Sequence, residues 1–306
     1  MTDAAAGRDT GDTRDVGGVP GDDDGRPAGR LAAVIGSPVA HSLSPTIHRA
    51  AFDAAGVDWS YVAFDVAEGA AVEALAAMRL LGIGGLSVTM PHKQAVAHAV
   101  DRLEPSARLL DSVNTVTWEG DDLVGHSTDG AGFVASLAEA GVSVDGARVA
   151  VIGAGGAARS VIDALARAGS PDITVLNRSH ERAESAAALA PVASVGIVSD
   201  LGRADIVVNA TSRGMGVDPA TAGEDDLPCD PRLIHEGQVV ADLVYHPLRT
   251  AWLRRADERG ARTVDGLGML VHQAALQQRI WLGDGHEPDV TAMRAAAERA
   301  LADDAV

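Results

Sequence analysis

The sequence predicts an α/β protein of two consecutive α/β units joined near Asp129, the second unit carrying a parallel sheet. Three observations predict it. Short apolar or alternating runs alternate with stretches of helical periodicity along most of the chain. In the second half the spacing is that of strand, crossover helix and next strand, which implies a sheet covered on both faces. With 306 residues and 46% hydrophobic content, the chain has enough apolar surface for substantial cores.

Residues 1–29 are rich in Gly, Asp, Arg and Pro and nearly lack large apolar side chains, so they cannot offset the entropy of ordering and are expected to form a disordered tail. The first strand signal is the apolar run Leu31 to Ile35, stopped by Gly36. Ser44 precedes a helix with Pro45 at its first position; its hydroxyl is suited either to capping that helix or to meeting a ligand. Trp59 to Val66 reads as a strand, Ala70 to Leu81 as an amphipathic helix, Gly85 to Thr89 as a strand and Gln94 to Val100 as a helix. Ser112 to Thr128 reads as a hairpin, because two β-rich segments flank Glu119, Gly120 and Asp121. The second series comprises strands Val149 to Ile152, Ile173 to Leu176, Ile206 to Asn209 and Gln238 to Asp242, with helices Ala157 to Ala168 and His180 to Leu189 between them. Helices from Gly268 to Trp281 and from Val290 to Leu301 close the chain, and periodicity does not decide which unit they cover.

A formal charge of -18 repels phosphate backbones and anionic lipid, which argues against nucleic acid and membrane surfaces as partners. No apolar run approaches the ~20 residues of a membrane helix, and no secretory signal pattern opens the sequence. A single cysteine, Cys229, excludes a disulfide framework and a Cys-rich metal site; it reads as a packing thiol, and a reducing cytoplasm is the expected compartment. An acidic protein must capture any anionic ligand by local donors.

Such donors are expected at Gly153, Ala154, Gly155, Gly156 and Ala157, where a buried strand runs directly into glycines and then a helix. In a dinucleotide-binding unit of Rossmann type the first Gly makes the tight turn, the second admits the pyrophosphate, and a small third residue, here Ala158, lets helix meet strand. The helix N-terminus adds free N–H groups and a positive dipole end. Where an NAD site offers a carboxylate to the ribose, this sequence has Asn177-Arg178-Ser179, with Arg182 one turn on. Two guanidinium groups suit a 2′-phosphate, so NADP is the expected cofactor.

Four segments carry unusual polar content for their positions: Gly36 to Pro45 with Ser42 and Ser44, Gly85 to Lys93 with Thr89, Ser112 to Thr115 with Asn114, and Gly125 to Gly130 with Asp129. Lys93 stands near a helix start, where the dipole repels it, and local cost of this kind marks candidate functional residues. With these segments, and with Asn209-Ala-Thr211-Ser-Arg-Gly-Met215, Asp242-Leu243-Val-Tyr245-His-Pro247 and Gly266-Leu-Gly-Met-Leu-Val-His-Gln273-Ala, the sequence resembles the shikimate dehydrogenase family from about Leu31 to beyond Trp281.

The resemblance implies a substrate domain over 30–129, an NADP domain over 130–265, and C-terminal helices in 266–306 that return to the substrate domain across a hinged cleft. It implies that Ser42, Ser44 and Tyr245 meet the substrate carboxylate and that Thr89, Asn114 and Gln273 hold ring hydroxyls. Lys93 and Asp129 match the catalytic pair, Leu243 and Gly266 match backbone neighbours of the nicotinamide, and Thr211 belongs to the cofactor side. The implied activity is NADP-dependent interconversion of 3-dehydroshikimate and shikimate, in the cytoplasm, by a monomer or homodimer without a metal. Either member of the catalytic pair can carry the proton: Lys93 as acid or base, or Asp129 with Lys93 orienting it. Ser87 and Ser127 stand where the commoner family pattern has asparagine, which makes quinate or an amino analogue of shikimate the alternative substrate. A non-catalytic NADP-binding regulator is the remaining reading, against which the intact Lys93, Asp129, Asn114 and Gln273 set stands.

Overall fold

A computed structural model describes residues 31–283 and 285–303, so the tail expected at 1–29 lies outside the described residues. The first half runs β1 (Leu31–Gly36), α1 (Ser44–Ala55), β2 (Ser60–Asp65), α2 (Ala71–Leu81), β3 (Gly85–Val88), α3 (Lys93–Ala97), β4 (Arg102–Leu103), α4 (Pro105–Leu110), β5 (Thr115–Glu119) and β6 (Asp122–His126). Its strands form one sheet in the order β2-β1-β3-β5-β6-β4. β1 lies parallel to β2 and β3, while β5 and β6 form the expected hairpin and pair antiparallel.

After α5 (Asp129–Glu139), the second half runs β7 (Arg148–Ile152), α6 (Gly156–Arg167), β8 (Asp172–Leu176), α7 (His180–Ala187), β9 (Ala193–Val195), β10 (Ile206–Asn209), β11 (Val239–Asp242), α8 (Ala251–Asp257) and β12 (Arg262–Val264). The sheet order is β12-β11-β10-β7-β8-β9, and every pair is parallel. Alternate residues feed two cores, as strands buried on both faces require. Val149, Val151, Ile173, Val175 and Val208 meet α5, α6 and α7, whereas Ala150, Ile152, Val207 and Val240 meet Trp252 and Leu253 of α8.

The last helices, α9 (Leu267–Leu282) and α10 (Val290–Asp303), pack on α1 through one cluster of Ile47, Ala51, Val271, Ala274, Met293 and Ala297. The Trp281 indole N–H donates to the Val116 carbonyl at 3.0 Å, which ties the end of α9 to β5. α9 therefore lies against the first sheet, and α10 packs outside it on α1 and α9.

Sequence periodicity misses α5, α8, β12 and the short α4, β4 and β9. Helix α3 also ends at Ala97 rather than Val100, since Asp101 turns back to donate its N–H to Leu123 of β6. The omission of α5 has a physical reason. Its first turn holds Gly130 and Gly132, each costing about 1 kcal/mol of helix propensity. Both are required by contact: a Cβ at Gly132 would lie 2.6 Å from the Gln273 main-chain nitrogen, and one at Gly130 only 2.1 Å from the Ser160 carbonyl. α5 thus meets α9 and α6 backbone to backbone, where the two halves join.

Gly132→Ala should lower unfolding stability by about 1–3 kcal/mol, because the added methyl has no room. Urea denaturation checks it, with Gly202→Ala as control, since a Cβ there meets nothing within 4 Å. Equal midpoints for the two variants would refute the contact argument.

Candidate active site

The carboxyl ends of the first sheet's strands and the starts of two helices bring four polar side chains together. Lys93 opens α3, Asp129 opens α5, Asn114 immediately precedes β5, and Gln273 lies on α9. Lys93 Nζ sits 2.6 Å from Asp129 Oδ2, and Asn114 Nδ2 donates to Asp129 Oδ1 at 2.6 Å. Both carboxylate oxygens are therefore engaged. Asn114 Nδ2 also approaches Gln273 Oε1 at 3.4 Å and Thr128 Oγ1 at 2.9 Å.

Two features explain this arrangement. Asp129 is favoured by the positive end of α5, whereas Lys93 is disfavoured at the start of α3, and the ion pair between them offsets that cost. The Lys93 and Asp129 side chains are 27% and 15% exposed, sheltered yet reachable by a small molecule. Second, the Thr128 main-chain N–H donates to Asn114 Oδ1 at 2.9 Å. A main-chain N–H can only donate, so the Asn114 amide nitrogen must face Asp129.

The remaining residues expected at the substrate lie on neighbouring loops. Ser42 Oγ accepts the Ser44 N–H at 3.2 Å, while α1 has Leu43 at its cap and no side-chain cap bond. Ser44 therefore does not cap the helix, and that reading of its hydroxyl is corrected. Thr89 donates its N–H to Ile35 at 2.9 Å, which holds the end of β3 beside the end of β1. Tyr245 packs against the cluster that contains Leu43, alongside the serine loop, and burial raises its phenol pKa.

Ser87 is only 5% exposed, accepts from Tyr61 Oη at 2.6 Å and donates to Gln277 Oε1 at 2.8 Å. Its hydroxyl is committed to the interior, so it does not meet a ring substituent directly. Ser127 lines a separate hollow with Glu104, His126 and Arg279, which none of Lys93, Asn114, Asp129 and Gln273 lines. Sequence reading missed the buried set of His48, Tyr61, Thr115 and Gln277. The one available signal was Gln277, four residues after Gln273 and hence on the same face of α9.

On the second sheet, register places the ends of β7, β8 and β10 level, with Ile152 opposite both Leu176 and Asn209. Gly153, Asn177 and Thr211 follow there, at the carboxyl edge where parallel sheets bind ligands. Gly153 has φ 122°, and a Cβ on it would strike the Ala210 carbonyl at 2.8 Å. Ala154 and Gly155 lead into α6, whose cap is Gly155 with no side-chain bond. A Cβ on Gly155 or Gly156 would meet nothing within 4 Å. Both glycines are exposed, and the first-turn N–H groups of α6 have no intrahelical partner, so the helix start is a cradle that fits a pyrophosphate. Arg178 and Arg182 are exposed beyond β8, and Ser179 Oγ accepts the Arg182 N–H at 3.4 Å, capping α7. Asn177 Nδ2 donates to the Ser179 carbonyl at 3.0 Å, which shapes the same turn. The donor set fits NADP.

Leu243 and Gly266 are in contact, since a Cβ on Gly266 would lie 2.5 Å from the Leu243 carbonyl oxygen. Behind them Asp242, 1% exposed, accepts from Asn209 Nδ2, Thr250 Oγ1 and the Val244 N–H at 2.8, 2.8 and 3.0 Å. Burial outweighs these donors and pushes its carboxyl up to about 6.

The chain is similar to known proteins over most of its length. The family description "Shikimate dehydrogenase substrate binding domain" matches residues 34–116, "Shikimate / quinate 5-dehydrogenase" matches 136–218, and "Shikimate 5'-dehydrogenase C-terminal domain" matches 266–298. A shikimate dehydrogenase (NADP(+)) of Symbiobacterium thermophilum is 43% identical, covering 90% of this chain and 96% of that protein. A crystal structure of a shikimate dehydrogenase in complex with NADP+ superposes with TM-score 0.82 at 35% identity, over 89% of this chain and 96% of that one. One from Thermus thermophilus, in complex with NADP(H) and shikimate, gives TM-score 0.80 at 36% identity over 88% and 99%.

Asp242 yields a pH prediction. Its folded pKa of about 6 lies above the ordinary value near 4, so between those limits the folded protein holds a proton that the unfolded chain has released. Asp242 therefore makes stability fall as pH rises from about 4 to about 6. Asp242→Asn removes that contribution, and the wild-type minus variant difference in urea midpoint should change with pH across that window. A difference independent of pH would sink the assignment.

Proposed function

The chain belongs to the shikimate dehydrogenase family, and from that premise we propose that it catalyses the NADP-dependent, reversible reduction of 3-dehydroshikimate to shikimate, on the route to chorismate and the aromatic amino acids. The observation that carries the reading is the Lys93–Asp129 pair at 2.6 Å with Asn114 on the second carboxylate oxygen. A proton-handling pair ringed by amides and hydroxyls suits a secondary alcohol on a polyhydroxylated ring.

NADPH, when bound, supplies the hydride. Lys93 Nζ is the group we assign to the reacting oxygen, donating a proton as negative charge develops there and receiving one in the reverse direction. Asp129 Oδ2 holds Nζ in place, and Asn114 keeps Oδ1 occupied. Thr89, Asn114 and Gln273 are assigned to ring hydroxyls, and Ser42, Ser44 and Tyr245 to the carboxylate. On the cofactor side Gly153, Ala154, Gly155, Gly156 and Ala157 take the pyrophosphate. Asn177, Arg178, Ser179 and Arg182 take the adenosine end, and Thr211, Leu243 and Gly266 the nicotinamide end. We assign 30–129 with 266–306 to the substrate domain and 130–265 to the NADP domain, an assignment supported by the packing of α9 and α10 on α1. A cytoplasmic monomer or homodimer completes the proposal; the lone, half-buried Cys229 suits a reducing compartment.

Mixing the purified protein with NADP and shikimate, and with NADP and quinate in parallel, tests the substrate. NADPH absorbance should rise faster with shikimate; a faster rise with quinate would move the enzyme to the sister activity. Lys93→Ala should lose about 10²–10⁴-fold in kcat while KM for shikimate changes only a few-fold. Near-normal turnover would remove Lys93 from its role. NADP should surpass NAD by at least about tenfold in kcat/KM, and Arg178→Ala combined with Arg182→Ala should narrow that ratio through KM for NADP. An unchanged ratio in the double variant would refute both arginines.

A further inference from the structure

A chain of buried hydrogen bonds runs from α1 to the catalytic carboxylate, and Gln277 stands at its centre. Gln277 is 2% exposed, and all its hydrogen-bonding positions are used. Its Oε1 accepts from His48 Nε2 at 3.1 Å and from Ser87 Oγ at 2.8 Å. Its Nε2 donates to the Asn114 carbonyl at 3.1 Å and to Thr115 Oγ1 at 3.0 Å. Thr115 Oγ1, having accepted, sends its single proton to Asn114 Oδ1 at 2.9 Å. Asn114 then presents Nδ2 to Asp129.

Every polarity in this chain is fixed from both ends. Gln278 Nε2 donates to the His48 main-chain carbonyl at 3.1 Å, so its amide nitrogen faces His48, and it also meets His48 Nδ1 at 3.1 Å. Nδ1 therefore accepts, and the imidazole proton lies on Nε2, pointing at Gln277. His48 is fully buried between Phe52, Tyr61 and Trp281, and burial pushes its pKa down to about 3, so it stays neutral. From the other side, the Asn114 carbonyl accepts only, which requires an amide nitrogen on Gln277 opposite it. Tyr61 donates to Ser87, and Ser87 passes its own proton to Gln277. No member can turn over without leaving a buried donor facing a donor or an acceptor facing an acceptor, at a cost comparable to a lost hydrogen bond.

Granting the substrate role given to Asn114 above, we infer that Gln277 and Thr115 are positioning residues of the active site. They hold the Asn114 main chain and the oxygen of its amide, so that the amide nitrogen stays aimed at Asp129 and the substrate. Neither touches Lys93 or Asp129. The serine at position 87 belongs to the same device, because its short hydroxyl can both accept from Tyr61 and donate to Gln277.

Thr115→Val removes one hydroxyl while keeping shape, Thr115→Ser restores it, and Gln277→Leu cuts the hub. Thr115→Val should lower kcat/KM for shikimate about tenfold with KM for NADP unchanged within about twofold, Thr115→Ser should recover most of the loss, and Gln277→Leu should lose more. A second readout needs no turnover. The Asn114 side-chain amide, recognised by its disappearance in Asn114→Asp, should exchange slowly with water in the 1H–15N spectrum of the wild type and at least about tenfold faster in Thr115→Val. If the wild type fails to oxidise shikimate, the functional reading falls and the exchange measurement alone decides the inference. Unaltered exchange in Thr115→Val, or kcat/KM within about twofold of wild type in both Thr115→Val and a folded Gln277→Leu, would overturn it.

Discussion

The approach of α9 to α5 at Gly132 is the constraint on which the rest depends. No side chain separates the two helices there, since even a methyl would lie 2.6 Å from the Gln273 nitrogen. That contact lowers α9 far enough for Gln273 to reach Asn114, and for Gln277 one turn later to reach the Asn114 carbonyl and Thr115. The same α5 begins with Asp129 and, through Gly130, abuts α6 at Ser160. Thus one helix supplies the carboxylate, receives the helix that positions its partners, and touches the first helix of the nucleotide sheet. Shifting α5 would disturb both halves at once.

An acidic chain that handles an anionic cofactor needs favourable charge confined to the site. In the proposed assignment that charge is, at the phosphates, a helix end and main-chain N–H groups, which order no flexible side chain. Beyond β8 it is two exposed guanidinium groups. At the proposed reacting centre it is Lys93, held by Asp129 at 2.6 Å. Each device acts over a few ångströms, less than the screening length of about 8 Å at physiological salt, so the net charge of the rest of the surface interferes little.

Much of this is legible in the sequence, and the exceptions share a cause. Strands buried on both faces announce themselves as apolar runs, and the turn at Gly153 is marked by the strand before it and the helix after it. Lys93, Asp129 and Asn114 stand out because polar residues at strand ends and helix starts are locally conspicuous. α5 stays hidden because Gly130 and Gly132 answer to α6 and α9, which lie far along the chain. His48 and Gln277 stay hidden for the same reason: a polar residue on an apolar helix face looks like solvent-exposed decoration until its partner 229 residues away is known. At Ser44 a local rule misleads, since Pro45 suggests a cap where the turn belongs instead to Ser42. Ser87 reads as a ligand group because it stands beside the candidate residues Thr89 and Lys93, yet its strand turns it inward toward Tyr61.

The two sheets solve the same problem with the same residue type. Each carries at its carboxyl edge a buried asparagine, Asn114 beside β5 and Asn209 at the end of β10. Asn209 Oδ1 accepts from the Thr211 N–H and hydroxyl at 3.0 and 2.7 Å, while its Nδ2 donates to Asp242 at 2.8 Å. Asn114 likewise takes main-chain and hydroxyl donors from Thr128 and Thr115 on its oxygen and gives its nitrogen to an aspartate. A side-chain amide accepts on one fixed side and donates on the other and, unlike a hydroxyl, cannot rotate its proton between them, so it locks a loop to a carboxylate in one orientation only. Apolar packing fixes position but tolerates small slips, whereas a satisfied buried amide penalises a slip by an unpaired donor. The geometry of both carboxyl edges therefore rests on buried polar groups, and the apolar cores serve to place them.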